Sequence, residues 1–448
     1  TDVHGEPLAQ NQPVKTVVVD GSLVSDPDAV ATVLADKLEM PASEVMKAIS
    51  AKIHSKASGK IVPDRYIVVK KGVPEVLASE IKAELGKNSR GVFFEQDTVR
   101  VYPNASMLCH VLGFTNSEGR GMEGIERSMN EHLSGRDGFR CIERDRTGKE
   151  LVPYRGQERA PRNGKKVRLT IDMGLQDIVE TEADAAMAQF APKSLVVILM
   201  KPQTGEILAL CNRPHFDPNN IGADGGDDRR NRAITDMVEP GSTFKVVTIA
   251  TALSQRLVTP LHHIFCENGY WSAYRLRDHK GYGSLTVHDV LVKSSNIGTA
   301  KIALQLGDER FHDAVRKFGF GERTGINLPG EINGKVYLPH QWSKLSITRM
   351  AMGHEIGVTP LQMATAMCAV ANGGKLMMPQ IVKDVANEDG SPTVTFPPRE
   401  VRTVASPEGM RQVQMMLLDV CGPKGTASLA RVHGFQVAGK TGTSQKLD

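Results

Sequence analysis

Three short motifs stand in fixed order along the 448 residues, and a fold for this chain must either bring them to one place or leave them as coincidences. The first is Glu239-Pro-Gly-Ser242-Thr-Phe-Lys245, in which Pro240-Gly241 breaks the preceding structure and an apolar helix follows. That helix is apolar on more than one face, so it is expected to be buried. Ser242 would stand at its amino end, with Lys245 one turn on along the same side. The second is Ser294-Ser295-Asn296, an S-x-N triplet between two helix-like runs, 52 residues after Ser242. The third is Ala438-Gly-Lys440-Thr441-Gly442-Thr443-Ser444, with Lys440 lying 146 residues after Ser294.

These residue types fit a nucleophilic serine. A serine hydroxyl is a poor nucleophile until a base takes its proton. Lysine can do so only when neutral, a state that burial and a second cation favour. The helix amino end favours negative charge developing beside Ser242. Ser294 and Asn296, on one side of an extended turn, suit relaying a proton and holding a substrate amide. Gly439 and Gly442 would let another backbone approach a strand closely, so an extended peptide can dock along its edge. Lys440, Thr441 and Thr443 offer a cation and hydroxyls to a carboxylate. Taken singly, the first two motifs are better read as a capping serine beside a surface lysine and as a helix cap. The joint match in this order is improbable as coincidence.

Other chemistries find less support. With 55 basic against 51 acidic residues and no dense basic block, no nucleic acid is expected as a partner. The six cysteines are widely spaced without a CxxC pair, which argues against a disulfide scaffold or a zinc finger. His262, His263, Cys266, Asp278 and His279 can be drawn as a zinc site, but the spacing fits no common template and no metal is expected. Gly434-Phe-Gln-Val-Ala-Gly439-Lys440-Thr441 matches a phosphate-binding loop letter for letter, yet Gly442 follows at once where a helix is needed. The longest strongly apolar stretch, Leu195 to Met200, falls far short of the roughly 18 residues of a membrane span. The chain begins at Thr1 rather than a methionine and is expected to be an excised soluble portion of a longer protein.

The length suits two or three domains. A small α+β region is expected over 26–95. Strands are expected at Val14–Val19, Tyr66–Val69 and Val99–Tyr102, and helices at 26–38, Ala42–Ile53 and Pro74–Leu85. Turns and short hairpins are expected over the glycine-rich stretch 113–150. The main boundary is placed at 165/166. Beyond it come a strand at Val167–Ile171 and a helix capped by Asp172, with Leu175, Ile178 and Val179 on one face. A hairpin turns at Lys201–Gly205. Residues 234–320 are expected to be mostly helical, as is Val404–Cys421, and Phe435–Ser444 to return to strand.

With its three motifs in order, the chain resembles the penicillin-binding transpeptidases. The flanking text resembles them too: Asn231-Arg-Ala-Ile-Thr-Asp-Met-Val-Glu-Pro-Gly-Ser242, Gly325-Ile-Asn-Leu-Pro-Gly-Glu331, Gly353-His-Glu-Ile-Gly-Val-Thr-Pro-Leu-Gln362 and Ala371-Asn-Gly-Gly374. Upstream, Val3–Ala9, Arg100-Val-Tyr-Pro103, His110–Phe114 and Gly121-Met-Glu-Gly-Ile-Glu126 resemble the pedestal of class B members, in the flavour of the division-specific, FtsI-like branch. The likeness is vaguest over residues 26–95.

The resemblance implies an α+β fold. An elongated non-catalytic α+β pedestal over 1–165 would precede a transpeptidase domain over 166–448, an antiparallel sheet with helices on both faces. It implies that Ser242 attacks the penultimate D-alanine of a stem peptide, with Lys245 as base and Ser294 and Asn296 shuttling the proton and placing the donor. Lys440 joins that catalytic set, Thr441, Gly442 and Thr443 bind substrate, and the N–H groups of Ser242 and Thr443 form the oxyanion hole. β-Lactams would acylate Ser242, and no cofactor is needed. A SEDS-family glycosyltransferase and divisome proteins are the implied partners, and the location is the periplasmic face of the inner membrane, through an N-terminal anchor. The sequence ends at Asp448, where the family pattern leads one to expect further strands and a C-terminal helix. A β-lactamase or β-lactam sensor shares the three motifs but needs no front half like 1–165, and ranks second. A non-catalytic scaffold ranks third.

Overall fold

The computed structural model describes residues 1–54, 60–141, 157–222 and 225–443. It divides into two compact units, residues 7–103 and residues 104–448 together with 1–6.

In the smaller unit, β1 (Gln10–Val19) is the middle strand of an antiparallel sheet. It is flanked by β2 (Ile67–Val73) and β3 (Val92–Val101). Alternation along β1 sends Val17 and Val19 to one face. There they meet Leu34 and Leu38 of α1 (Pro27–Leu38) and Ile81 and Leu85 of α3 (Glu75–Leu85). Asp26 caps α1, accepting the Ala29 N–H at 3.0 Å, and Pro27 follows where a missing N–H costs nothing. The helix expected to reach Ile53 stops sooner, as α2 (Ala42–Ile49). Ile53 instead lies in a short strand opposite Val62, where a β-branched side chain suits the pleat.

In the larger unit, β4 (Lys166–Leu169) pairs antiparallel with β7 (Val382–Ala386), a partner far along the chain. The expected hairpin is present, as β5 (Leu195–Met200) against β6 (Ile207–Arg213). Asp172 caps α4 (Met173–Phe190), accepting the N–H groups of Gly174 and Leu175 at 3.0 and 3.1 Å. The buried face of α4 is not the expected one: Ile178 is exposed, and Gln176, Glu180 and Ala183 point inward. Hydrogen bonding decides this. Gln176 both accepts from Leu210 N–H, at 2.9 Å, and donates to Leu210 C=O, at 3.1 Å, while Glu180 pairs with Arg213 at 2.6 Å.

Residues 234–320 are mostly helical as expected, but between the helices that end at Ser254 and begin at Val287 short strands intervene: His263–Phe265 pairs with Ser284–Thr286, and Tyr270–Trp271 with Leu276–Arg277. Positive φ at Asn268, Gly269 and Arg275 turns the chain where a helix would have to continue. The strand expected over Phe435–Ser444 is absent from its described residues: Gly439 N–H bonds to the Leu417 C=O and Gly442 lies close to Thr243, with no strand ladder beside them; Ser444 lies outside the described residues.

At the centre is α5 (Lys245–Ser254), buried on every face as its sequence requires. It packs against α6 (Val287–Val292), α7 (Asn296–Leu306) and α8 (Pro407–Val420). Val246, Val247, Ile249 and Leu253 join one large core, each contributing about 1.5–3 kcal/mol by leaving water. This rigid helix is what positions the site.

Candidate active site

Ser242 sits in a single 3₁₀ turn, Gly241–Phe244, that runs directly into α5. It is half-buried, and among the described residues its hydroxyl makes no hydrogen bond. Lys245 follows one turn on and is fully buried. Its ammonium donates to Ser294 C=O at 2.6 Å, to Ser294 Oγ at 3.1 Å and to Asn296 Oδ1 at 2.6 Å. The first two motifs are therefore in direct contact through Lys245.

Lys440 closes the constellation. Its Nζ lies 3.1 Å from the same Ser294 Oγ and 2.9 Å from Thr441 C=O. One hydroxyl thus stands between two lysines. Burial first, then the nearby charge of Lys440, pulls Lys245 down to about 7, against an opposing pull from Asp278. Burial lowers Lys440 to about 8. Near neutrality Lys245 spends an appreciable fraction of its time without its extra proton, as a base must.

Residues 439–443 are held on two sides. Gly439 N–H donates to Leu417 C=O of α8 at 3.2 Å, and a Cβ on Gly439 would lie 3.2 Å from Cys421 Sγ. On the other side, a Cβ on Gly241, just before the nucleophile, would meet the Thr443 carbonyl oxygen at 2.4 Å, and one on Gly442 would meet Thr243 Cγ2 at 2.8 Å. The side chains of Thr441 and Thr443 are exposed, open to a ligand. The structure thus gathers all of the residues singled out from the sequence: Ser242, Lys245, Ser294, Asn296, Lys440, Thr441, Gly442 and Thr443.

Two sets of contacts that brace the motifs were not read from the sequence. Asp278, drawn there only into a dismissed zinc site, accepts from the S-x-N turn through both carboxylate oxygens. Glu239 accepts from His354 Nδ1 and from Glu355 N–H, each at 2.9 Å. No local spacing signals these contacts, which join segments up to 116 residues apart.

Known proteins bear out the likeness. Residues 195–448 match the penicillin-binding protein transpeptidase domain, and residues 1–169 the penicillin-binding protein dimerisation domain. Stage V sporulation protein D of Bacillus subtilis is 33% identical across the whole chain, which covers 68% of that protein. The peptidoglycan D,D-transpeptidase FtsI of Escherichia coli is 30% identical, again across the whole chain and 73% of its own length. A peptidoglycan synthetase from Bifidobacterium adolescentis shares the fold, with a TM-score of 0.77 at 23% identity over all of this chain and 84% of that one. The chain spans about two thirds of the length of the curated relatives it matches.

Proposed function

The chain belongs to the penicillin-binding protein transpeptidases, in their class B form, and from that premise we propose that it is a peptidoglycan D,D-transpeptidase working through an acyl-enzyme on Ser242. The observation that carries this is the buried Lys245, drawn down to about 7 and held against Ser294 and Asn296, with Lys440 on the same hydroxyl.

Neutral Lys245 takes the Ser242 proton as Oγ attacks the carbonyl of the penultimate D-alanine of a stem peptide. The N–H groups of Ser242 and Thr443 receive the developing oxyanion. Lys440, Ser294 and Lys245 form a line along which a proton passes to the departing amine, so terminal D-alanine leaves and an ester on Ser242 remains. Asn296 holds the donor amide, while Thr441, Gly442 and Thr443 with Lys440 hold its carboxylate. An amine of a neighbouring stem peptide then attacks the ester, the cross-link forms, and Ser242 recovers its proton. β-Lactams enter the same path as substrate mimics and stay on the serine.

Likeness to FtsI favours septal wall synthesis. Divisome proteins and a SEDS-family glycosyltransferase are the partners in this reading, with the catalytic part in the periplasm and an N-terminal anchor in the inner membrane. Residues 1–165 serve as the pedestal and 166–448 as the catalytic domain.

Offering a peptide ending in D-Ala-D-Ala together with a labelled D-amino acid tests this reading. Serine-dependent release of D-alanine with incorporation of the label is expected. Hydrolysis without any incorporation would place the protein with the hydrolases that share these motifs.

A further inference from the structure

Asp278 reaches the S-x-N turn from a separate hairpin. Its Oδ1 accepts the N–H groups of Asn296 and Ile297 at 2.5 and 3.0 Å, and its Oδ2 accepts the Ser295 hydroxyl at 2.6 Å. Ser295 Oγ in turn accepts the Gly298 N–H at 2.9 Å. The neighbouring Arg277 C=O accepts from Asn296 Nδ2 at 2.7 Å, which turns the other end of that carboxamide, Oδ1, toward Lys245. The dipeptide Arg277-Asp278 therefore fixes both the backbone and the side chain of Asn296. Ser294, just before, holds a φ of 57°, a conformation an ordinary residue keeps only when its surroundings enforce it.

We propose that Asp278 is a positioning residue for acylation: it holds the Ser294–Asn296 turn so that the Ser294 hydroxyl and the Asn296 carboxamide oxygen stay on Lys245. This rests on the reading of Lys245, Ser294 and Asn296 as the acylating machinery. A carboxylate at a helix amino end can also serve stability alone, and three features separate the two roles. The contacts fall on the turn that carries Ser294 and Asn296. They form a two-toothed clamp rather than a single cap. And the carboxylate is the negative charge that, with Lys440 as the positive one, bears on Lys245.

The test is the second-order rate of Ser242 acylation by a fluorescent penicillin, followed against pH, for wild type, Asp278→Asn and Asp278→Ala, alongside thermal unfolding. Asp278→Asn keeps an acceptor for the two N–H groups and offers Nδ2 to Ser295, so its rate should stay within about threefold of wild type. Its rise with pH should begin lower, because the charge that favours protonated Lys245 is gone. Asp278→Ala releases the turn and should lose about a hundredfold, the scale of a 1 Å misplacement. If Asp278→Ala does not fold, the downward shift of the Asp278→Asn profile decides, and an unshifted profile overturns the proposal. A folded Asp278→Ala acylated at the wild-type rate overturns it as well. Wild type that is not acylated at all would sink the acyltransferase reading beneath it, a failure distinct from either.

Discussion

Gly241 and Gly353 meet backbone to backbone: the Gly241 N–H donates to the Gly353 C=O at 3.2 Å, and a Cβ on Gly353 would lie 2.2 Å from the Gly241 oxygen. Both residues have positive φ, 55° and 83°. The turn that carries Ser242 is thus seated directly on the segment 353–358, which also pairs Val238 with Val358. Gly353→Ala should destabilise the fold by at least about 2 kcal/mol, since strain and overlap act together. Thermal unfolding checks this, and acylation of the folded fraction should fall as well, because the seat beneath the nucleophile has moved.

Acylation should rise with pH through about 7, the point at which Lys245 gives up its proton. The sign follows from the cause: burial and Lys440 disfavour the charged form, so the free base appears well below the usual lysine range. Lys440→Met removes a positive neighbour, so the rise should move to higher pH while the overall rate drops. Lys245→Met should lose roughly 10²–10⁴ in rate, the usual worth of a positioned base. Stopped-flow acylation from about pH 5 to about pH 9 reads all three, a window that lies below the ordinary lysine range of about 10 and above the ordinary carboxylate range of about 4.

Glu239 ties the nucleophile turn to His354 and to the backbone of Glu355. Glu239→Gln keeps an acceptor and should leave acylation within a few-fold, whereas Glu239→Ala should slow it about tenfold or more by loosening the turn. A comparison of acylation rates for the two variants at equal folded fraction is the check.

Gln176 shows a purely structural role. It bonds both polar groups of Leu210 and donates to Glu180 at 2.8 Å, all away from solvent. Gln176→Leu takes the side-chain partner from the Leu210 N–H and C=O, while Glu180 keeps Arg213, and should cost about 1–3 kcal/mol in denaturant unfolding. The acylation rate of the folded protein should not change.

Much of this was legible in the sequence because it was local. Ser242 stands in the turn that runs into the helix of Lys245, Asp172 caps the residues beside it, and β5 and β6 are joined by a tight turn, so spacing alone predicts each. What stayed hidden was set by distant partners. The inward face of α4 follows from bonds to β6 and Arg213, against the apolar pattern of Leu175, Ile178 and Val179. The strands at 263–286 are too short for their periodicity to outweigh a helical reading. Asp278 and Glu239 act through what they touch in space; Glu239 stands in the first motif itself, yet no spacing announces its contacts with residues 354 and 355.

The central claim is that Ser242 becomes covalently acylated, and the most direct measurement is intact mass after incubation with a fluorescent penicillin, followed by denaturation, with Ser242→Ala in parallel. One adduct on the wild-type chain that persists for hours, and none on the folded variant, is the predicted result. An adduct that survives in Ser242→Ala, or a folded wild-type chain that takes up none, would contradict it.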